Sequence, residues 1–415
     1  MGSVSQPESA FSSLRPIPYD EAFWITKAVA EDTHPQKVSL GAGVYQDENG
    51  KFWTLPSVKK AIPLLPDTHD YLPQGGFAPF VEASRKLLFG EALVARVGDR
   101  LTSIQTVSGT GACHVGAVFL DKSVRPKNVW ISDPSWINHA LIWECAGPGA
   151  TTRRSYPYYD AATRSFDFAG ARAALEGGGA QRGDVVVLQA CAHNPTGLDP
   201  TREQWAALAD ICERKGLIPF FDAAYQGFAS GDVDEDAWAV RHFVERGSLE
   251  LCVAQSFSKN FGLYGQRVGA LHVLSRNPAT GPAVQSQLIR IVRSEVSTSP
   301  AFGARIVATV LGDPALRGEW LQDLKTMSSR IKSMREALLR ELKRRGTPGS
   351  WDHIVSQIGM FSYTGLNREH VKELAEKHHI YLMASGRASI AGLTPENVSR
   401  VAEAIDSVVR KSGGS

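Results

Sequence analysis

The sequence predicts an α/β protein built on a mostly parallel sheet, and three observations carry that expectation. Val185-Val-Val-Leu-Gln-Ala190, Leu217-Ile-Pro-Phe-Phe221 and Leu251-Cys-Val-Ala254 are short, continuous apolar runs that stop at polar or glycine-rich stretches. Strands covered by helices on both faces read in this way, whereas a half-exposed strand alternates. Between the first two runs, Thr201 to Lys215 sets Trp205, Leu208, Ile211 and Cys212 at helical spacing. Upstream, Thr106-Val-Ser-Gly-Thr-Gly111 follows a strand-like start and opens a helix with Ala112, Val115, Val118 and Phe119 on one face.

The remaining elements divide the chain. Alternating strand and helix signals run over residues 54–325, which are expected to form a large domain. One long amphipathic stretch follows, with Leu316, Trp320, Leu324, Met327, Ile331, Met334, Leu338 and Leu342 at three- and four-residue spacing. At about 1.5 Å per residue such a helix spans about 40 Å, enough to leave one domain and support another. Residues 16–53 and 326–411 are then expected to form a smaller α/β domain. No internal repeat appears, and the only low-complexity stretch is the Glu176-Gly-Gly-Gly179 turn.

The strand ends carry the chemistry. Open α/β sheets bind ligands outside the carboxyl ends of their strands, so Asn194, Asp222, Tyr225 and Lys259 are expected to converge on one crevice. Lys259 stands just past a buried strand, in Ser256-Phe-Ser-Lys-Asn260. Burial lowers a lysine's pKa, and a desolvated amine is a nucleophile that forms Schiff bases with aldehydes and ketones. Arg267, after Gly262 and Gly265, offers a planar fork suited to phosphate. The glycine-rich start of the helix at Ser108 offers free N–H groups and a favourable dipole for the same anion.

An aldehyde-bearing phosphorylated cofactor uses all of these groups. Pyridoxal phosphate needs a lysine for its aldehyde, an acid for its pyridine nitrogen and donors for its phenolate oxygen and phosphate. Lys259 meets the first need and Asp222 the second, while Asn194 and Tyr225 can donate to the phenolate.

Longer stretches point to a family. They include Leu40-Gly-Ala-Gly-Val-Tyr45, Asp70-Tyr-Leu-Pro73, Ser108-Gly-Thr-Gly-Ala112 and Asp133-Pro-Ser-Trp-Ile-Asn-His139. Ala190-Cys-Ala-His-Asn-Pro-Thr-Gly197, Phe221 to Gly231, Gln255 to Tyr264, Gly359 to Gly365 and Ser385-Gly-Arg387 continue the set. The chain resembles the fold-type I aminotransferases, most closely the eukaryotic-type aspartate aminotransferases, from about Ile17 to Ser407. The resemblance implies that Lys259 bonds the cofactor and moves the substrate's α-proton, with Asp222 on the pyridine nitrogen and His139 behind it. It implies that Trp136 stacks on the ring and that Ser108, Gly109, Thr110, Ser256 and Arg267 cup the phosphate. Arg387 resembles the arginine that grips the α-carboxylate, helped by Asn194 and the backbone at Gly43. Tyr71 and Arg293 resemble residues that reach across a homodimer, to the phosphate and to the substrate's distal carboxylate respectively.

The chain also departs from the family pattern. Gln189 stands where a histidine is usual behind the cofactor ring. Val296-Ser-Thr-Ser-Pro300 follows the distal arginine, so that Val296 replaces an aromatic residue and Thr298 an asparagine. Gln46 and His114 stand where arginines are common. The resemblance implies transamination between an acidic amino acid and a 2-oxo acid. Two alternatives stay open: β-decarboxylation, β-elimination or another carbanion reaction on the same scaffold, and a non-catalytic cofactor-binding module, against which the intact lysine argues.

Composition agrees. A 415-residue chain with 43% hydrophobic and 21% charged residues can bury a large core. Its net charge of +2, spread along the chain, leaves no basic stripe for nucleic acid. Five scattered cysteines, an odd number, suit reduced core thiols in a reducing compartment. No metal-ligand spacing is visible, and His378-His379 reads as surface or structural. No apolar run approaches the roughly 20 residues of a membrane helix. Met1 to Arg15 lacks an apolar signal core, and Gln6 stands where a myristoylated Gly2 would require Ser or Thr. A cytoplasmic protein with a flexible Lys411–Ser415 end is expected.

Overall fold

Seven strands form the central sheet: β1 (Leu101–Val107), β2 (Asn128–Asp133), β3 (Thr152–Pro157), β4 (Val185–Gln189), β5 (Ile218–Ala223), β6 (Leu251–Ser256) and β7 (Val268–Leu274). A computed structural model describes residues 9–17, 20–147, 151–177 and 179–412 of the chain. The expectations for Gly2, Gln6, Gly178 and the last three residues lie outside the described residues.

The sheet order is β1-β7-β6-β5-β4-β2-β3. β7 runs antiparallel to both neighbours and the other pairings are parallel. Six strands therefore point one way, with their carboxyl ends at one edge.

The continuous apolar runs are explained by the two layers that cover the sheet. Val185, Val187, Phe220, Cys252 and Ala254 face one apolar cluster, which holds Ala112, Val115 and Val118 of α1 (Ser108–Ser123). Val186, Leu188, Phe221, Leu251 and Val253 face another, which holds Trp205, Leu208 and Ile211 of α2 (Arg202–Lys215). Successive strand residues alternate between faces, and both faces are dry, so every position is apolar. Burying a side chain such as Phe220 or Phe221 contributes about 1.5–3 kcal/mol. α2 begins at Thr201, whose hydroxyl accepts from the Gln204 N–H while the Gln204 side chain accepts from the Thr201 N–H. It ends at Gly216 in the left-handed region, φ 64°.

The long amphipathic stretch is a 32-residue helix, α4 (Pro314–Arg345), and α3 (Gly281–Glu295) precedes it. Asp313 caps α4 by accepting from the Ala315 and Leu316 N–H groups, and all eight apolar positions expected from spacing are buried. Trp320, fully buried, donates its indole N–H to the Asn260 carbonyl (2.8 Å), bracing the residue next to Lys259.

The carboxyl-terminal segment closes over the strand ends. Phe361–Tyr363 pairs antiparallel with Arg387–Ser389, and Val38–Ser39 pairs parallel with Ile380–Tyr381, so the start of the chain joins its end. One apolar cluster links Val38, Phe257, Trp320 and Val401. His379, the residue after helix Arg368–His378, lies 2.9 Å from Asp32 through Nδ1 and stacks on His34. Cys113, Cys191, Cys212 and Cys252 are buried free thiols, whereas Cys145 is an exposed one. Among the described residues no helix is long and apolar enough to cross a membrane.

Candidate active site

The carboxyl ends of β1, β4, β5 and β6 surround a cavity of about 220 Å³, which the segment carrying Phe361 and Arg387 covers. Ser108, Gly109, Thr110, Trp136, Asn194, Asp222, Tyr225, Ser256, Lys259, Arg267, Arg387 and Gly43 all line it. Of the residues singled out in the sequence for catalysis or binding, Tyr71 and Arg293 alone are not brought there.

Lys259 sits three residues past β6, where the chain turns out of the sheet. Burial lowers its pKa below the ordinary lysine range; Asp222 opposes the shift, and Arg267 and Arg387 reinforce it. Desolvation and two like charges outweigh one opposite charge, so the amine is easier to deprotonate than in water. Its Nζ lies 5.5 Å from the centre of the Tyr225 ring. Burial raises the pKa of the Tyr225 phenol, which keeps it a protonated donor.

Ser108 and Arg267 meet because β7 inserts between β1 and β6. Ser256 and Thr106 are both paired with Gly269 of β7. A Cβ on Gly269 would lie 2.3 Å from the Ser108 carbonyl carbon, and one on Gly109 would lie 2.7 Å from Ser256 Cβ. Close backbone approach is the reason for glycine at both positions. Ser108 itself adopts φ 65°, and its hydroxyl accepts from Arg267 Nη2 (2.6 Å) and from the Thr110 N–H (3.2 Å). Apart from that hydroxyl, among the described residues no side chain caps the start of α1, so N–H groups of its first turn and the Arg267 fork converge on one corner.

Asp222, next to last in β5, pairs with Gln189 of β4. Its Oδ2 lies 2.9 Å from His139 Nε2, and His139 Nδ1 lies 3.0 Å from Ser135 Oγ. The carboxylate is thus held from behind and lines the cavity from the front. Cys113 joins this pair, with ligand atoms of all three within 4.8 Å of one another. Burial, reinforced by Asp222, raises the pKa of the Cys113 thiol well above its ordinary value. Trp136 precedes helix Ile137–Cys145, and its ring lies edge-on to His139 at 5.1 Å.

Arg387 approaches from the covering segment. Nη1 donates to Asn194 Oδ1 (3.2 Å) and Nη2 to the Gly41 carbonyl (3.1 Å), while the buried Nε has no partner among the described residues. The guanidinium lies 4.1 Å from the centre of the Phe361 ring. Burial lowers its pKa, opposed by the Tyr225 phenol and the acids Glu21 and Asp20. Gln189, Gly41, Ser258 and Phe361 also line the cavity but lie outside the set chosen from sequence. Gly41 and Phe361 stand within the family-like stretches Leu40–Tyr45 and Gly359–Gly365 quoted above, and Ser258 adjoins Lys259, so adjacency is the available signal.

Tyr71 is 91% exposed and lines a separate groove with Thr298, Pro300, Phe302 and Arg305. Arg293, in the last turn of α3, is exposed and donates to Ser297 Oγ. Val296 is exposed beside it. His114 Nε2 lies 3.1 Å from Glu295 Oε1, which raises the His114 pKa.

The charges decide what the cavity accepts. Lys259, Arg267 and Arg387 face it with Asp222 as the lining carboxylate, and among the described residues none of the three cations has a carboxylate within 4.0 Å. Partly desolvated cations without a carboxylate partner are costly, so the cavity is built for anionic ligands. The orphaned Arg387 Nε and the glycine-lined corner beside Ser108 fit a phosphorylated group and a carboxylate, as pyridoxal phosphate and an amino acid supply.

Residues 35–405 match the family model described as aminotransferase class I and II. The chain is 48% identical to a cytoplasmic aspartate aminotransferase of Saccharomyces cerevisiae over 410 residues, 96% of this chain and 97% of that protein. It is 47% identical to an L-tyrosine:2-oxoglutarate aminotransferase of Aspergillus ustus over 411 residues, 96% of this chain and 78% of that protein. Among solved structures, an aspartate aminotransferase from the S. cerevisiae cytoplasm superposes with a TM-score of 0.93 at 47% identity, covering 97% of this chain and 99% of that one. An aromatic-amino-acid aminotransferase from Burkholderia pseudomallei, covalently bound to pyridoxal phosphate, gives 0.92 at 41% identity, covering 97% and 100%.

Proposed function

The chain belongs to the class I and II aminotransferases, and from that premise we propose how its cavity holds and acts on its substrates. It is a pyridoxal-phosphate enzyme that moves an amino group between an amino acid and a 2-oxo acid. The preferred amino acid in this reading is acidic, aspartate or glutamate, with 2-oxoglutarate as partner. The relatives described are named aminotransferases, so the β-decarboxylation and β-elimination alternatives are not favoured.

The observation that carries the reading is three uncompensated cations and one supported carboxylate around a single cavity at the strand ends. Pyridoxal phosphate, when bound, supplies an aldehyde that condenses with amines and a ring that draws electron density from a carbon losing its proton. Lys259, whose amine burial makes easier to deprotonate, would be the group that bonds the aldehyde and the base that takes and returns the proton at the substrate α-carbon. Asp222, backed by His139, would hold the ring nitrogen in its protonated form, and Trp136, which lines the same cavity, would pack against the ring. The Tyr225 phenol and Asn194 donate to the phenolate oxygen. Ser108, Gly109, Thr110, Ser256 and Arg267 hold the phosphate. Arg387, with Asn194 and the Gly43 backbone, binds the α-carboxylate that amino acid and oxo acid share.

Tyr71 and Arg293 lie away from this cavity in their own subunit, which suits residues that complete the opposite site of a two-fold homodimer. Residues 16–53 and 326–411 are read as the unit that closes on residues 54–325 when substrate binds, with Arg387 drawing it inward. The cytoplasm is the proposed compartment, as in the relatives named for it. Borohydride reduction of the holoenzyme followed by peptide mapping tests the central assignment. The cofactor is expected on Lys259, and Lys259→Ala is expected to retain cofactor through the phosphate contacts while turnover falls by orders of magnitude. Near-normal turnover in that variant refutes it.

A further inference from the structure

Gln189 occupies an unusual place for a residue with no role in the reading above. It ends β4, is 6% exposed and lines the cavity. Both ends of its carboxamide are committed to the main chain of one residue. The Asn194 N–H donates to Gln189 Oε1 (2.7 Å), and Gln189 Nε2 donates to the Asn194 carbonyl (3.0 Å). A carboxamide presents an acceptor and a donor side by side, which matches the N–H and C=O of a single residue. The two nitrogens of an imidazole diverge, so a histidine at this position serves one of them at most.

The segment held in this way is otherwise anchored on either side of Asn194. Asp199 accepts from the Ala192 and His193 N–H groups (2.7 and 3.0 Å), and the His193 ring lies 2.9 Å from both Ser132 Oγ and Thr196 Oγ1. The Gly197 carbonyl accepts from the Ile358 N–H (2.8 Å). Among the described contacts, the main chain of Asn194 itself is held by Gln189. Asn194 Oδ1 in turn accepts from Arg387 Nη1, one of two hydrogen bonds that orient a guanidinium whose Nε has no partner.

We propose that Gln189 is a positioning residue for carboxylate recognition: by locking the Asn194 main chain it sets, through Asn194 Oδ1, the plane in which Arg387 meets the substrate's α-carboxylate. This rests on the reading of Arg387 given above. Gln189 acts on the carboxylate through Asn194, so its loss weakens every ligand with an α-carboxylate alike and leaves Lys259, Asp222 and the phosphate contacts of Ser108, Ser256 and Arg267 in place. A carboxamide does not titrate, so the clamp holds equally across the pH range in which an imidazole would change charge.

The test uses holoenzyme variants Q189L, N194A, R387L and the double variant Q189L/N194A. Succinate, a dicarboxylate without an amino group, is titrated against the cofactor absorbance, and KM is measured for both substrates. For Q189L a ~10-fold weaker succinate affinity and a similar rise in both KM values are expected, with kcat within ~3-fold and cofactor retained. The double variant is expected to bind no more weakly than N194A. Q189E, which keeps the acceptor for the Asn194 N–H and loses the donor, supplies the same comparison if Q189L yields too little holoenzyme. Wild-type binding in Q189L, or Q189E in its place, alongside lost binding in R387L, overturns the role of Gln189 alone. So does a double variant weaker than N194A by the full factor seen for Q189L. Unchanged binding in R387L overturns the carboxylate reading and this inference together.

Discussion

Arg387→Leu separates function from stability in opposite directions, which makes it the most informative single change. The native guanidinium is half-buried, makes two hydrogen bonds to neutral oxygens, has among the described residues no partner for its buried Nε and sits over the Phe361 ring. Burial lowers its pKa, which says that the folded chain holds this charge at a cost. A substrate carboxylate removes that cost, and truncating one partner of a buried, hydrogen-bonded charge pair typically loses about 2–5 kcal/mol of binding. At about 1.4 kcal/mol per factor of ten, kcat/KM should fall by roughly 30- to several-thousand-fold for aspartate and glutamate. Leucine fills most of the volume and removes an uncompensated cation, so the melting temperature of the ligand-free enzyme should hold or rise. Arg387→Lys keeps the charge and loses the fork, and it should fall between the two. Steady-state kinetics on both substrates, with a thermal melt of each variant, read both effects. A loss of kcat/KM below about threefold, or a large drop in melting temperature accompanying it, refutes the argument that this cation waits for a carboxylate.

Three further outcomes follow from the same geometry. Arg293→Asp should sharply lower kcat/KM for dicarboxylic amino acids and raise relative activity towards cationic ones; a wild-type enzyme that ignores acidic amino acids would show that Arg293 points elsewhere. Mixing inactive Lys259→Ala subunits with inactive Arg293→Ala subunits should restore activity, because one of the two sites in a hybrid is intact, and full activity in a verified monomer would contradict it. His114→Gln should lower stability by less than about 1 kcal/mol, because the pair with Glu295 is partly exposed. The His114 pKa is raised on folding, so that contribution is present in full below its unfolded pKa of about 6.5 and is lost as pH rises through the folded value. A melting difference from wild type at pH 5.5 that vanishes at pH 8.5 is expected, and the reverse order refutes the pairing.

Local sequence determined much of this molecule by itself. Residues that pack against a helix layer on each side must all be apolar, so β4, β5 and β6 are legible as continuous runs, and their polar ends mark Asn194, Asp222 and Lys259. The three- and four-residue apolar spacing from Leu316 to Leu342 marks α4 at close to its true length. A nucleophilic lysine at a strand end also carries its chemistry in its position. Other features depend on contacts between residues far apart in the chain, which no local period records. Nothing in Val268–Leu274 announces that β7 runs antiparallel between β1 and β6, yet that insertion brings Arg267 against Ser108 and demands glycine at 269. The sequence marks Gln189 only as a departure from a pattern; the fold makes it a two-point hold on Asn194, because β4 ends where the chain returns five residues later. Cys113 looks like one more core thiol on α1, and the packing of α1 against the sheet sets it beside Asp222 and His139. Tyr71 and Arg293 mark the limit of both, for a single folded chain leaves them outside the cavity that their sequence context assigns to them. A strand or a helix is decided by neighbours in sequence, but a site is decided by which strand ends the sheet order brings side by side.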